Sequence, residues 1–139
     1  MTTKDLASAI LPAEAIKTNT YLNGTDAAGA AIDTAKFESL TLVLVCGAVT
    51  DAQALTLQKS NDNSAYVDVV AGDVVGGADE LADFKEIGVT DDDEVKILGY
   101  VGTHRYIKVS CTGAGSTGAT FGVAALRGHP QYRPAYDIK

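Results

Sequence analysis

At 139 residues the chain is long enough for one domain with its own core. Hydrophobic residues make up 46%, which excludes a wholly disordered chain. The net charge of -7 argues against nucleic acid and anionic membranes as partners. Aromatic residues are only 6% and Trp is absent. The abundant Ala, Val, Thr and Gly suit thin, closely packed sheets.

No apolar run approaches the ~20 residues of a membrane-spanning helix. The opening MTTKDLASAILPAEA has an apolar patch too short for a secretory signal, so folding in a cytoplasm is expected. The first dozen residues are read as one short helix, capped by Thr3 or Asp5 and ended by Pro12. Such a helix is too short to stand alone, and residues 1–17 are assigned to an N-terminal arm.

Short strands and turn residues follow. Thr18 to Leu22 is a weak strand closed by Asn23-Gly24. Leu40 to Ala48 (LTLVLVCGA) is apolar on both faces over its middle, the pattern of a strand buried between two layers. Leu55, Leu57 and Lys59 alternate with Thr56, Gln58 and Ser60, as in a half-buried strand. Asn61-Asp62-Asn63-Ser64 is a strong turn signal, and Tyr66 to Val70 is the return strand. Residues 71–93 hold much of the acid and read as a long loop, with one helical turn at Glu80 to Glu86.

Glu94 to Thr112 suggests a hairpin turning at Gly102-Thr103-His104. A three-residue loop sets Val101 opposite Arg105, Gly99 opposite Ile107, Ile97 opposite Val109 and Val95 opposite Cys111, making one face almost wholly apolar. A two-residue loop scrambles the faces, so the first register is expected. The last strand runs from Ala119 to Arg127, with Gly122 marking a bulge or a close backbone approach. After Gly128 the polar stretch HPQYRPAYDIK, residues 129–139, is read as a C-terminal arm. Strands at roughly ten-residue spacing without a repeated long helix indicate a β-sandwich, barrel or jelly roll over residues 18–128.

Chemistry is sparse. Gly113-Ala-Gly-Ser-Thr-Gly118 fits the G-x-G-x-x-G pattern, but the residues after it look like a strand rather than a helix. A phosphate loop needs that helix, so the glycines are expected to join two strands. Cys46 and Cys111 sit in apolar runs and are expected to be buried free thiols. They show no metal-ligand spacing with His104 or His129, and Asp91 to Glu94 lacks the alternation of a calcium loop. No nucleophile motif is present, so neither catalytic residue, metal nor cofactor is assigned and the chain is not expected to be an enzyme.

A resemblance gives a function. The strand-turn-strand LTLQKSNDNSAYVDV, then YVGTHRYIKV followed by a strand and GHPQYRPA, resemble segments of cement (head decoration) proteins of tailed bacteriophages. The likeness spans about residues 25–135. It implies an all-β, jelly-roll-like β-sandwich, a homodimer, and attachment to the major capsid protein on the outer surface of the virion. It implies no catalytic residue. Arms that order on a lattice suit that role. Tyr132, Arg133, Pro134 and Tyr136 are therefore the candidate capsid contacts, since Tyr and Arg are common interface anchors. The alternatives are another phage component, in the tail or a connector, and a carbohydrate-binding sandwich using some of the six tyrosines.

Overall fold

The computed structural model describes residues 6–130. Among these residues the architecture is an all-β sandwich of two antiparallel sheets. One sheet is four-stranded, in the order β1-β9-β3-β7. Its strands are β1 (Ile10–Tyr21), β9 (Ala119–Pro130), β3 (Phe37–Val49) and β7 (Val95–Tyr100). We call it sheet A. Sheet B has the order β2-β8-β4-β5, with β6 also pairing β4. Its strands are β2 (Ile32–Asp33), β8 (Tyr106–Cys111), β4 (Gln53–Ser60), β5 (Val67–Asp68) and β6 (Glu86–Ile87).

The core lies between the sheets and follows the period of two. Sheet A contributes Leu40, Leu42, Leu44, Leu98, Phe121, Val123 and Ala125, and sheet B contributes Leu55, Leu57, Ile107 and Val109, all buried. The Tyr21 and Phe121 rings pack at 4.9 Å in a tilted geometry, one of the favoured aromatic arrangements. One helix, α1 (Gly77–Lys85), packs against β4, β6 and β7 and buries Leu81 and Phe84. Asp79 and Glu80 lie in its first turn, where acid complements the helix dipole. Beyond its end Lys96 Nζ donates to the carbonyls of Asp83 (3.0 Å) and Glu86 (3.1 Å).

The start of the chain differs from expectation. A single 3-10 turn (Ala7–Ala9) precedes β1, which pairs along its length with β9. Residues 10–17 therefore belong to the sandwich rather than to an arm. Pro12 does not end a helix there. It sits opposite Leu126 in an edge strand, where its missing N–H costs no ladder bond on the open side. At the other end β9 continues to Pro130, which pairs with Phe37. Within the acidic segment the expected single turn is the longer α1.

The expected hairpin is not formed. β7 pairs with β3 in sheet A, whereas β8 pairs with β2 and β4 in sheet B. Residues 101–105 thus cross from one sheet to the other. Val109 is fully buried while Ile97 is 67% exposed, so they do not share an apolar face. β7 buries the other parity, Leu98 and Tyr100. The double-sided burial expected for Leu40 to Ala48 also fails: Leu40, Leu42, Leu44 and Cys46 face the core, but Val45 is 50% exposed.

Several local readings hold. Asp62 Oδ1 accepts the backbone N–H groups of Ser64 and Ala65, each at 2.9 Å, in the turn between β4 and β5. Cys46 and Cys111 are buried free thiols. Gly122 is a close approach: a Cβ there would lie 2.3 Å from Thr18 Oγ1, beside a register shift in β1. No helix among the described residues is long and apolar enough to cross a membrane.

Candidate partner-binding face

The outward side of sheet A follows from its register. Thr41, Val43 and Val45 of β3 lie beside Leu126, Ala124 and Gly122 of β9, and beside Gly99, Ile97 and Val95 of β7. On the far side of β9, Glu14 pairs with Ala124 and Pro12 with Leu126. Val95 is 59% and Ile97 67% exposed. Val75, 61% exposed, lies against Gly99 and donates its N–H to the Gly99 carbonyl at 3.0 Å. These side chains form one continuous apolar surface. Glu14 is the charged residue in its paired rows.

The surface is not flat. A groove of about 400 Å³ runs along β1 and β9, lined by Pro12, Glu14, Thr18, Val45, Gly122 and Ala124 among others. Its floor is low because Gly122 has no side chain and Ala124 has one carbon. On the opposite margin, Val95 and Ile97 of β7 stand as a ridge.

The outward side of sheet B is polar. Thr56 and Gln58 of β4 pair with Ser110 and Lys108 of β8. Lys108 Nζ sits 4.4 Å from the Tyr66 ring centroid, and the Arg105 guanidinium 4.9 Å from that of Tyr106. Arg105 also grips Asp33 through two hydrogen bonds, at 2.8 and 2.9 Å. That guanidinium holds the Asp33 carboxyl below its ordinary value, with the Ala35 N–H assisting. Tyr21 and Tyr100, by contrast, are buried and offer no exposed ring.

At one end of the sandwich, Thr34 to Leu40 and Tyr100 to Arg105 line a cleft of about 480 Å³. His104 Nδ1 is buried without a hydrogen-bond partner. At the other end, Gly113 to Gly118 joins β8 to β9, as expected. Its amides are already engaged: Asp51 Oδ2 accepts Thr117 N–H (3.0 Å) and Gly118 N–H (2.8 Å). These bonds, the Gly118 one foremost, hold the Asp51 carboxyl below its ordinary value. Buried Gln53 clamps the same loop, donating to Ala114 O (2.8 Å) and accepting from Ala114 N–H (2.9 Å). A carboxylate and an amide thus occupy the places a phosphate would need.

The acidic turn at 91–94 also has structural contacts. Asp91 Oδ2 accepts the Gly88 N–H at 2.7 Å and pairs with Lys96 at 3.0 Å, while Asp92 Oδ1 accepts the Val49 N–H at 2.6 Å. The Gly88 bond is the main cause that lowers the Asp91 carboxyl, and Lys96 adds to it against the opposing effect of burial. Burial pushes both thiols up, Cys46 and Cys111 alike. Among the described residues no three His, Cys, Asp or Glu side chains converge as a metal-binding group.

Tyr132, Arg133, Pro134 and Tyr136, the contacts suggested by the sequence, lie outside the described residues. The apolar face of sheet A was missed. Its signal is present in LTLVLVCGA, but continuous apolarity equally fits burial on both sides within one chain. Comparison of the chain with protein-family models, curated proteins and solved structures gives no match.

Proposed function

We propose that this chain is a cement (head decoration) protein of a tailed bacteriophage, bound outside the icosahedral shell to the major capsid protein. The observation that carries the reading is the one-sided surface: among the described residues, an acidic sandwich presents one broad apolar face that no other element covers. Monomeric soluble proteins rarely expose large contiguous apolar patches, which commonly mark interaction sites. The strand order supports the finer reading of a jelly roll. Strands β1, β3, β7 and β9 go to one sheet and β2, β4, β5 and β8 to the other, in the orders β1-β9-β3-β7 and β2-β8-β4-β5, as in two interleaved Greek keys.

In this role the chain acts by binding and performs no chemistry. Copies paired as homodimers bridge neighbouring shell subunits, and many modest contacts add up across the lattice. Tyr132, Arg133, Pro134 and Tyr136 then serve as anchors to the shell. The net charge of -7 disfavours packaged nucleic acid and anionic membrane as partners.

Quantitative mass spectrometry of purified particles tests the reading. The expected result is a fixed ratio of order one to the major capsid protein, in heads separated from tails. A few copies per particle would assign the chain to a connector or tail instead, and absence from particles would end the phage reading. Truncation of residues 130–139 is expected to lower head occupancy while the sandwich stays folded. Unchanged occupancy would refute the role of the four anchors.

A further inference from the structure

We infer that the outer face of sheet A packs against the same face of a second copy, about a two-fold axis running along the strands between β9 and β3. The inference deepens the decoration reading and rests on it only for where the pair sits on a particle.

Self-complementarity selects the occupant. The groove over Gly122 and Ala124 lies on the β1 side of the face, and the ridge of Val95 and Ile97 on the β7 side. β1 and β7 are three strand spacings apart, ~14 Å. The register sets ridge and groove at the same level: Val95 shares a row with Val45 and Gly122, and Ile97 with Val43, Ala124 and Glu14. A two-fold axis along the strands exchanges the two margins and keeps the level. It lays the ridge of each copy along the other's β1 margin, the outer wall of the groove, and sets Val43 and Val45 over the other's Ala124 and Gly122 at its floor, the isologous geometry of a closed pair. Glu14 then falls at the rim, where its carboxylate reaches water.

Charge points the same way. Each copy carries -7, so contact between copies is least opposed where the surface is nearly uncharged. Area is sufficient though modest. Four strands at ~4.8 Å spacing, over about six residues of ~3.3 Å rise, span roughly 19 by 20 Å. Two such faces bury on the order of 1,000 Å², the lower bound for a specific interface. The pair is therefore a weak dimer in solution, with a Kd of about 1–100 µM.

Edge-to-edge pairing through sheet A is obstructed at both margins. β1 is irregular between Glu14 and Asn19 and carries Pro12. β7 is occupied along its later half, where Val75 N–H bonds Gly99 O at 3.0 Å and Val101 N–H bonds Asp73 O at 2.7 Å. Bulges, proline and covering segments are the features that stop strands adding to an edge.

Analytical ultracentrifugation of the full chain at up to about 0.5 mM tests this. The wild type is expected to dimerise. Ile97→Glu weakens the dimer about 100-fold, because each interface holds two copies of the substitution. Lys108→Ala, on sheet B, leaves it unchanged. Circular dichroism is expected to show both variants folded, since Ile97 is 67% exposed. In a second test, chains with Glu14→Cys are mixed with chains with Ile97→Cys under mild oxidant. Cross-linked pairs between the two are expected, and none from Ile97→Cys alone.

A wild type that stays monomeric throughout, or a dimer indifferent to Ile97→Glu, overturns the inference. A monomer whose Ile97→Glu variant falls off heads shows that the face meets the shell protein instead. That result overturns self-association while the decoration reading stands. A dimer that behaves as expected, in a chain absent from heads, leaves the inference standing and removes the decoration reading.

Discussion

The two outer faces of the sandwich are made by the same alternation and carry opposite chemistry. Sheet B turns Thr56, Gln58, Lys108 and Ser110 outward, as a sheet with one solvated side does. Sheet A turns Val43, Val45, Val95, Ile97 and Leu126 outward. Both inner faces are apolar, so stability of the single chain needs only the inner ones. The outward apolar side chains of sheet A lie outside that inner layer, and the proposed partner would account for them. In this sandwich the inner parity encodes the fold, and on the reading proposed above the outer parity of one sheet serves association.

Substitutions should separate those two codes. Phe121→Ala removes a fully buried ring that packs on Tyr21 in the inner layer and is expected to cost about 3–5 kcal/mol in denaturant unfolding. A loss below ~1 kcal/mol would mean that the inner layer is not the source of stability. Gln53→Leu strips both Ala114 backbone bonds from a buried site, with an expected cost of about 1–3 kcal/mol. At the bottom of the scale, Val45→Thr and Lys108→Ala are each expected to change stability by less than ~0.5 kcal/mol. Of the two, only Val45→Thr is expected to weaken association.

Acid sharpens the contrast further. Asp33, Asp51, Asp62 and Asp91 are all held below the ordinary carboxyl value by bonds to their ionised forms. Their contribution is fully present above the unfolded-state value of about 3.9 and is lost as pH falls through the lower folded values. Thermal unfolding should therefore be flat above pH ~5 and decline steeply below pH ~4. A decline beginning near neutrality would contradict the assignment.

How much of this was legible in the sequence depends on where the deciding contacts lie. The turn at Asn61 to Ser64 was legible because Asp62 bonds its own neighbours. The glycine loop was legible because a strand pattern follows it. The end of β1 was legible in the strand pattern from Thr18, but residues 10–17 were hidden: Pro12 and the bulge beside Ala15 break their alternation, and their partners in β9 are more than a hundred residues away. The β7–β8 hairpin was plausible locally because Ile97 and Val109 are both apolar. Nothing local tells an apolar residue facing the core from one facing a partner. That ambiguity also concealed the candidate site. The acids at Asp91 and Asp92 look like a solvated run in sequence, yet Asp91 meets Gly88 and Lys96 within its own turn, and Asp92 meets Val49 only once β3 and β7 are side by side.

The most direct measurement is hydroxyl-radical footprinting of the intact chain, dilute and concentrated, read residue by residue. Val45, Val95 and Ile97 should lose labelling on concentration, while Val67 and Val70 on the sheet B side, each 55% exposed, should keep theirs. Protection of sheet B, or equal labelling of both faces at every concentration, would contradict the claim that sheet A is the associating surface.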